Sequence, residues 1–427
     1  MVVALLAVTA GCSFVGGPSS TAQPRTATPT ATGTEPTAQP TDSPTPAGAE
    51  PTSTPETEQT GTPTDAPWEG VGVSGTGTLS VDPDRVYERV ERLHGVEQPP
   101  PNVVVERFGA ERELFGEPFY EAFGVAGTAE AAGVYRLGNS VYLNDEVGAD
   151  EQERVLVHEF AHYLHYQSGW WPERQGDLST DEAAAGDAVI EGSAVYATNS
   201  YAASRDDPTL NDSRDDVRAY RSRSGGLRLT ISRYIAGERY VDALVDAPSE
   251  LEPVLTDPPT ATEGVLHPAR NVSLGDLSVA TEGSANWRVR DGHYESGADR
   301  RGELYLREIL RLELDRATAD AAANGWDNDR SLTFADSDGT GTAVAWTLRW
   351  ESATEADEFA AAFDRFAERR AANASLAFAS ERVAPETVTV FAGNETFVDG
   401  AAATGTNESV RIAAPDANAT ASAETAN

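Results

Sequence analysis

One nine-residue stretch limits how this chain can fold. Residues 156–164 read Leu-Val-His-Glu-Phe-Ala-His-Tyr-Leu and contain the pattern HExxH. They lie inside residues 151–167, whose composition predicts a strong helix. On a helix, two side chains four residues apart lie about 40° apart and one turn along, so both histidine rings can reach one point. Four apolar residues fall on the opposite side: Leu156, Phe160, Tyr163 and Leu164. This division predicts one core face and one metal face.

The two histidines, His158 and His162, have the spacing that lets two imidazoles bind one metal ion. Glu159 lies beside them, where its carboxylate can take a proton from water activated by the ion. In a chain with six His, composition alone produces this pattern about once in a hundred cases. The alternative is a pair of core or surface histidines on an ordinary helix.

A catalytic zinc site needs a third protein ligand and an open position. A second helix, predicted over residues 180–203 with Thr180 as N-cap, carries Glu191 among small residues. An acid amid small residues, pressed against another helix, is costly unless it binds something. Glu191 is therefore the predicted third ligand. The alternative is a solvent-facing Glu with no metal.

The order of these motifs resembles a known family. HExxH followed by a distant Glu on the next helix looks like the gluzincin arrangement of thermolysin-type zinc metallopeptidases. Together with residues 262–268 (Thr-Glu-Gly-Val-Leu-His-Pro) and 325–330 (Gly-Trp-Asp-Asn-Asp-Arg), it resembles zincin-like surface lipoproteins secreted by halophilic archaea. The resemblance implies an α+β, zincin-like domain with a small mixed sheet, two metal-binding helices and a C-terminal helix and hairpin portion. It implies Zn²⁺ as cofactor but no particular substrate.

Four further side chains are candidates for supporting roles. His165 follows the ligand pair by one turn and could lie behind it or line a cleft. His267 and Tyr201 could stabilise a developing oxyanion. The thermolysin-type helix carries an Asp four residues after its Glu ligand, where this chain has Val195, so Asp187 is the candidate to orient a ligand histidine. An ordinary structural role is an equal alternative for each.

Local patterns predict the remaining elements. They indicate a helix over residues 82–95, a strand at 103–105 and a hairpin over 133–144, which is the candidate peptide-binding edge. Further along, they indicate one helix over 303–323, a turn at 326–330, a hairpin of strands 332–335 and 343–350, a helix over 355–371, and strands at 387–391 and 409–412. The predicted domains are 67–245 (zincin-like, with the metal site) and 246–414 (an α+β portion packed on it).

The N-terminus predicts a tether. Residues 1–17 form a signal or lipobox region, because an apolar run is followed by Thr-Ala-Gly and the sole cysteine, Cys12. This resembles a lipobox and implies lipid attachment to the Cys12 thiol; a signal fragment without lipid is the alternative. Residues 18–66, rich in Thr and Pro, cannot bury enough surface to fold and predict a disordered stalk. The tail, 415–427, is also predicted to be disordered.

The net charge of the chain indicates which surroundings and which partners suit the protein. The formal net charge is -37, from 32 basic and 69 acidic residues, and every basic residue is Arg. Such a surface repels nucleic acid. It suits concentrated salt, where the electrostatic screening length falls to about 3 Å and repulsion between the acidic side chains is largely removed. The alternative is an acidic protein that works in low salt. Sequons typical of an exported glycoprotein occur at Asn211, Asn271, Asn373, Asn394, Asn407 and Asn418.

Together these features predict a membrane-tethered extracellular zinc metallopeptidase that acts on a peptide or protein substrate. Its membrane contact would be the lipid at Cys12, on the outer face of the cytoplasmic membrane. Two other classes stay open. One is a non-catalytic zinc-binding surface lipoprotein, and the other is a lipid-anchored binding module that uses the C-terminal portion. The oligomeric state is left open.

Overall fold

The computed structural model describes residues 70–416, apart from 108–111, 115–116, 126, 130–132, 137, 173–176, 223–224, 283, 291–297, 340 and 373–375. Cys12, the stalk and residues 417–427 of the tail lie outside the described residues. The chain divides into two compact units, one of Met1–Val15 with Glu69–Asn427 and one of Gly16–Trp68. All the described residues belong to the first unit.

The protein is an α+β protein. Its described helices are α1 (Pro83–His94), α2 (Pro118–Phe123), α3 (Gln152–Gln167), α4 (Thr180–Arg205), α5 (Asp212–Ser222), α6 (Gly226–Asp242), α7 (Glu252–Thr256), α8 (Thr262–Leu266), α9 (Glu303–Leu310), α10 (Arg316–Ala323), α11 (Ala353–Ala371) and α12 (Glu395–Gly400). Among the described residues, no helix combines the length and hydrophobicity that crossing a bilayer requires.

The described strands form four sheets. They are β1 (Gly72–Gly75), β2 (Asn102–Glu106), β3 (Arg112–Leu114), β4 (Gly127–Ala129), β5 (Gly133–Arg136), β6 (Ser140–Asn144), β7 (Ser278–Glu282), β8 (Trp287–Val289), β9 (Ala298–Asp299), β10 (Trp326–Asp336), β11 (Thr342–Trp350), β12 (Ala377–Ala384), β13 (Thr387–Gly393), β14 (Ala402–Gly405) and β15 (Ser409–Ala413). The sheet orders are β1-β2-β6-β5, β12-β13-β11-β10-β8 with β9 beside β10, β14-β15-β7, and β3-β4.

The first sheet supports the helix that carries HExxH. It is mixed, because β1, β2 and β6 run parallel while β5 pairs antiparallel with β6. Val103 and Val105 alternate with less buried neighbours along β2, as a half-buried strand requires. Their side chains form one core with Val141 and Leu143 of β6 and with Phe160 of α3. The predicted hairpin over 133–144 is confirmed, and β5 is its outer strand.

The second sheet is covered on both faces. One face, with Trp346 and Trp350 of β11, packs against α9 and α11. The other, with Phe334 and Phe391, packs against α12 and the third sheet. The first of these cores also includes α4 and α6, so the predicted boundary at 245/246 lies within a shared core.

Polar side chains attach α4 to the C-terminal portion. Thr180 donates from its backbone N–H (2.9 Å) and its Oγ1 (2.5 Å) to the Asp299 carboxylate. Asp181 accepts from the backbone N–H of Thr262 (2.9 Å) and from Nε of Arg300 (2.9 Å). The predicted N-cap is wrong, because Ser179 caps α4 by accepting from the N–H of Glu182 (3.2 Å).

Two other predictions need correction. The single helix over 303–323 is two helices, because Asp315 adopts an extended conformation and caps a new helix by accepting from the Thr318 N–H (3.1 Å). The turn at 326–330 is the start of β10. There the buried Asp329 accepts from the indole N–H groups of Trp326 (3.2 Å) and Trp346 (3.0 Å), so these polar residues belong inside the strand.

Helices α4 and α6 approach at two glycines. A Cβ at Gly192 would lie 2.1 Å from the carbonyl carbon of Gly237, and one at Gly237 would lie 1.7 Å from the carbonyl oxygen of Ala188. Such contacts are far inside van der Waals distance, so neither position accepts a side chain without backbone movement. The helix that carries Glu191 is therefore seated directly against α6.

We expect Gly192→Ala to lower the free energy of unfolding by about 1–3 kcal/mol, because overpacking outweighs the gain in helix propensity of about 1 kcal/mol. Denaturant unfolding of the full chain measures this. Gly148→Ala is the matched control, since its Cβ would meet only the mobile end of Asp150. Equal stability of the two variants would contradict the close helix contact.

Candidate metal centre

Three side chains converge where α3 packs against α4. The Nε2 atoms of His158 and His162 lie 3.1 Å apart. Oε2 of Glu191 lies 3.4 Å from the first and 3.2 Å from the second. Both rings are fully buried, and Glu191 is 6% exposed. The structure thus brings together all three predicted ligands, and they could hold one metal ion.

The spacing of these atoms fits a four-coordinate ion. Bonds of about 2.0–2.1 Å at tetrahedral angles place neighbouring ligand atoms about 3.3 Å apart. The three observed separations, 3.1, 3.2 and 3.4 Å, bracket that value. Two imidazole nitrogens and one carboxylate oxygen suit zinc and similar transition metals, whereas calcium and magnesium prefer oxygen alone. The residues present therefore fit the group that the sequence predicts.

Glu159 lies within the same buried region. Its side chain has no exposed area, and its charge contributes to raising the pKa of His158. Helix α3 is buried on all sides from Arg154 to His165. The predicted core face lies against the first sheet, with Leu156, Phe160, Tyr163 and Leu164. On the other side the two histidines face Glu191 of α4, where the sequence predicts a metal face.

A fourth residue, Asp212 of α5, contacts His158. Its Oδ2 lies 3.0 Å from Nδ1 of the ring, and its Oδ1 pairs with Arg154, one turn earlier on α3. The backbone N–H groups of Asp212 and Ser213 donate to Oδ1 of Asn199 on α4, at 3.0 and 3.4 Å. Helices α3, α4 and α5 therefore meet at Asp212.

Burial and charge shift the pKa values of this cluster in opposite directions. Burial alone lowers the pKa of His158, but hydrogen bonds to Asp212 and Glu191 raise it well above its usual value. Burial lowers the pKa of His162, against the pull of Glu191. Burial would raise the pKa of Glu191, but the two rings hold it below its ordinary range. Arg154 and His158 likewise hold the pKa of Asp212 low against burial.

Two aromatic rings flank the histidines. Tyr234 of α6 lies nearly parallel to the His158 ring, with centroids 6.2 Å apart and planes at 20°. Trp171, which follows α3, packs edge-on against His162 at 6.0 Å. Apolar neighbours of this kind exclude water and strengthen the electrostatic interactions between the buried groups.

Three other predicted residues lie elsewhere in the fold. Asp187 pairs with Arg233 (3.1 Å). The Tyr201 hydroxyl donates to Glu153 (2.6 Å) at the first turn of α3. Nε2 of His267 lies 3.0 Å from Glu303. None of these contacts points to the predicted roles, because each side chain is engaged in an ion pair or hydrogen bond away from the three ligands.

The fourth, His165, lies in a buried histidine pair. Its Nε2 is 3.1 Å from Nε2 of His94, whose Nδ1 lies 2.7 Å from the carbonyl oxygen of Val90. Its ring stacks on Trp170 and packs edge-on at 6.5 Å from His162. His165 is therefore behind the ligand pair and in the core, as one of its two predicted alternatives has it, and it does not line an open cleft.

Sequence reasoning missed Asp212 and its neighbour Asp216. Both lie on the acidic segment 212–216, which resembles an ordinary solvated helix turn. Burial and repulsion from Asp212 raise the pKa of Asp216 well above its usual value. The available signal was weak: a helix bearing carboxylates follows Glu191 after a Pro208 turn, but nothing local shows which face is buried.

The histidine pair predicts an acid-sensitive fold. Burial lowers the pKa of His94 to about 4, whereas an unfolded histidine titrates near 6.5. Between these values the unfolded chain binds more protons, so stability present above pH 6.5 is lost as the pH falls toward 4, by about 3 kcal/mol for this residue. Unfolding of His94→Gln and the unsubstituted protein at several pH values checks this. At pH 8 the two differ only by packing; a parallel decline below pH 6.5 would contradict the assignment.

Comparison with known proteins adds one match. A family model described as a domain of unknown function (DUF8575) matches residues 287–424. That stretch begins at β8 and includes every described strand of the second sheet, whereas the three candidate metal ligands precede it. No curated protein and no solved structure matches the chain.

Proposed function

We propose that the protein is a zinc-dependent peptidase of gluzincin type, held at the cell surface through Cys12. The observation that carries this proposal is the convergence of His158, His162 and Glu191 at tetrahedral ligand spacing. The tether and the surface location are supported by the lipobox-like N-terminus and the Thr/Pro-rich segment after it.

A bound zinc ion would supply a Lewis acid that polarises a peptide carbonyl and lowers the pKa of a water molecule. The chain supplies the proton transfers: Glu159 takes the proton from the attacking water and delivers it to the leaving amine nitrogen. Residues His158, His162 and Glu191 hold and orient the ion. The surrounding rings of Tyr234 and Trp171 keep bulk water away.

Burial sets a condition on this reaction. Glu159 is fully buried, so a peptide reaches it only after neighbouring groups have moved. Opening of this kind is common in enzymes whose sites exclude water during turnover. The proposal therefore includes an opened form in which Glu159 is accessible.

The same burial favours a second candidate function, a structural zinc site that joins α3 to α4 in a non-catalytic surface protein. Structural zinc sites are closed by protein, whereas catalytic ones keep an open position. Both candidates predict zinc binding, and they differ in turnover. We favour the peptidase because a structural site with these three ligands has no use for Glu159 in its position of the HExxH motif.

We expect Glu159→Gln to retain one zinc ion per chain and to lower peptide cleavage by about 10²–10⁴-fold, because the general base is lost while the ligands stay. Metal analysis and digestion of a peptide library by the full chain, at low and at molar salt, measure both. Glu182→Gln is the control: it removes the same charge about 13 Å along α4 from Glu191.

Three results separate the candidates. Cleavage abolished by a chelator and by Glu159→Gln, but retained in Glu182→Gln, supports the peptidase. Stoichiometric zinc with no cleavage by the unsubstituted protein supports the structural site. Failure of the unsubstituted protein to bind zinc, or equal binding by His158→Ala, would falsify both.

A further inference from the structure

We propose that α5 is part of the metal centre, with Asp212 as the positioning residue that determines which nitrogen of His158 faces the ion. In consequence, metal binding and the docking of α5 stabilise each other. This inference rests on the proposed function, since it concerns the same three ligands. It names a residue and a helix that the HExxH pattern does not contain.

The hydrogen bond determines the proton's position. A carboxylate accepts only, so the 3.0 Å contact between Asp212 Oδ2 and His158 Nδ1 places a proton on Nδ1. A histidine that binds a metal is a neutral imidazole with one N–H, so with the proton on Nδ1 its Nε2 keeps the lone pair. That atom is the one that faces His162 and Glu191. The other tautomer would direct an N–H at the ion and could not bind it.

Asp212 is itself held from two sides. Arg154, one turn before His158 on α3, pairs with its second oxygen. Asn199 of α4 accepts the Asp212 N–H at 3.0 Å, and its Nδ2 donates to Ser213 Oγ at 2.6 Å. The helix bearing the histidines and the helix bearing Glu191 thus both attach to the first turn of α5. Any displacement of α5 moves the carboxylate away from the ring.

Polar contacts hold both ends of α5, and α6 packs along it. Asp212, the first residue of the helix, is buried, and toward the other end the Tyr220 hydroxyl donates to Glu308 of α9 at 2.9 Å. Arg214 and Arg218 on the helix are exposed. Local opening of α5 breaks these contacts, and the one with His158 is among them.

Coupling follows from this arrangement. A cation bound to Nε2 withdraws electron density from the imidazole ring. The Nδ1–H group then becomes a stronger hydrogen-bond donor to the Asp212 carboxylate. The bound ion thereby favours the docked helix, and by linkage the docked helix favours the bound ion to the same degree.

The test compares zinc affinity and helix protection in the full chain. Zinc affinity is measured by competition with a chromophoric chelator, and amide exchange is followed over residues 212–222 with and without zinc. For Asp212→Asn and Asp212→Ala we expect zinc affinity about 10–100-fold weaker and loss of the zinc-dependent protection of α5. Asp329→Asn is the matched control: Asp329 is a fully buried carboxylate that accepts from the indole N–H groups of Trp326 and Trp346, and its loss should lower stability without changing zinc affinity.

His158→Ala serves as the reference variant. If it binds zinc weakly while Asp212→Asn and Asp212→Ala bind as tightly as the unsubstituted protein, the positioning role is overturned and the metal site stands. If His158→Ala also binds zinc normally, the metal site fails, and this inference fails with it. Zinc-dependent protection that persists in Asp212→Ala would refute the coupling to α5, whatever the affinity.

Discussion

The structure depends on how it accommodates buried charge at the contact of α3 and α4. The three carboxyl groups of Glu159, Glu191 and Asp212 are buried there, and the guanidinium of Arg154 pairs with Asp212. Ionised carboxylates cost several kcal/mol each when they leave water without compensation. A divalent cation between His158 and His162 would offset the negative charge of these carboxylates. Burial and repulsion from Asp212 raise the pKa of the neighbouring Asp216, which lowers the charge that the region has to accommodate.

Parts of this arrangement follow from local sequence. The helix carrying HExxH, the helix ended by Gly95 and the hairpin after Gly133 are predicted by spacing and turn residues, and the structure has all three. Glu191 could be predicted because ligand chemistry limits the choice: an acid among small residues on a helix that returns to the first is rare. In these cases the information lies within one or two elements of the chain.

What the sequence does not reveal depends on tertiary packing. Asp212 looks like any acid at a helix start, and only the seating of α5 beside α3 makes it a partner of His158. His267 and Tyr201 have suitable chemistry for a reaction site, yet Glu303 and Glu153 engage them instead. The polar segment at 326–330 looks like a turn until Asp329 is seen to accept indole N–H groups inside the core. In a chain this acidic, an exposed and a buried carboxylate have the same local signature.

The C-terminal portion contacts α4, the helix that carries the candidate ligand Glu191. Two hydrogen bonds hold the start of that helix. The Thr180 N–H donates to the Asp299 carboxylate, and the Thr262 N–H donates to the Asp181 carboxylate. Ten residues beyond Asp181, the same helix presents Glu191, and Gly192 seats it against α6. Because helices are stiff over such lengths, attachment at the start limits where the ligand can lie. The strands matched by the family model therefore lie in one compact unit with the candidate metal ligands. The sheet fixes one end of the helix, and the histidines contact the helix further along.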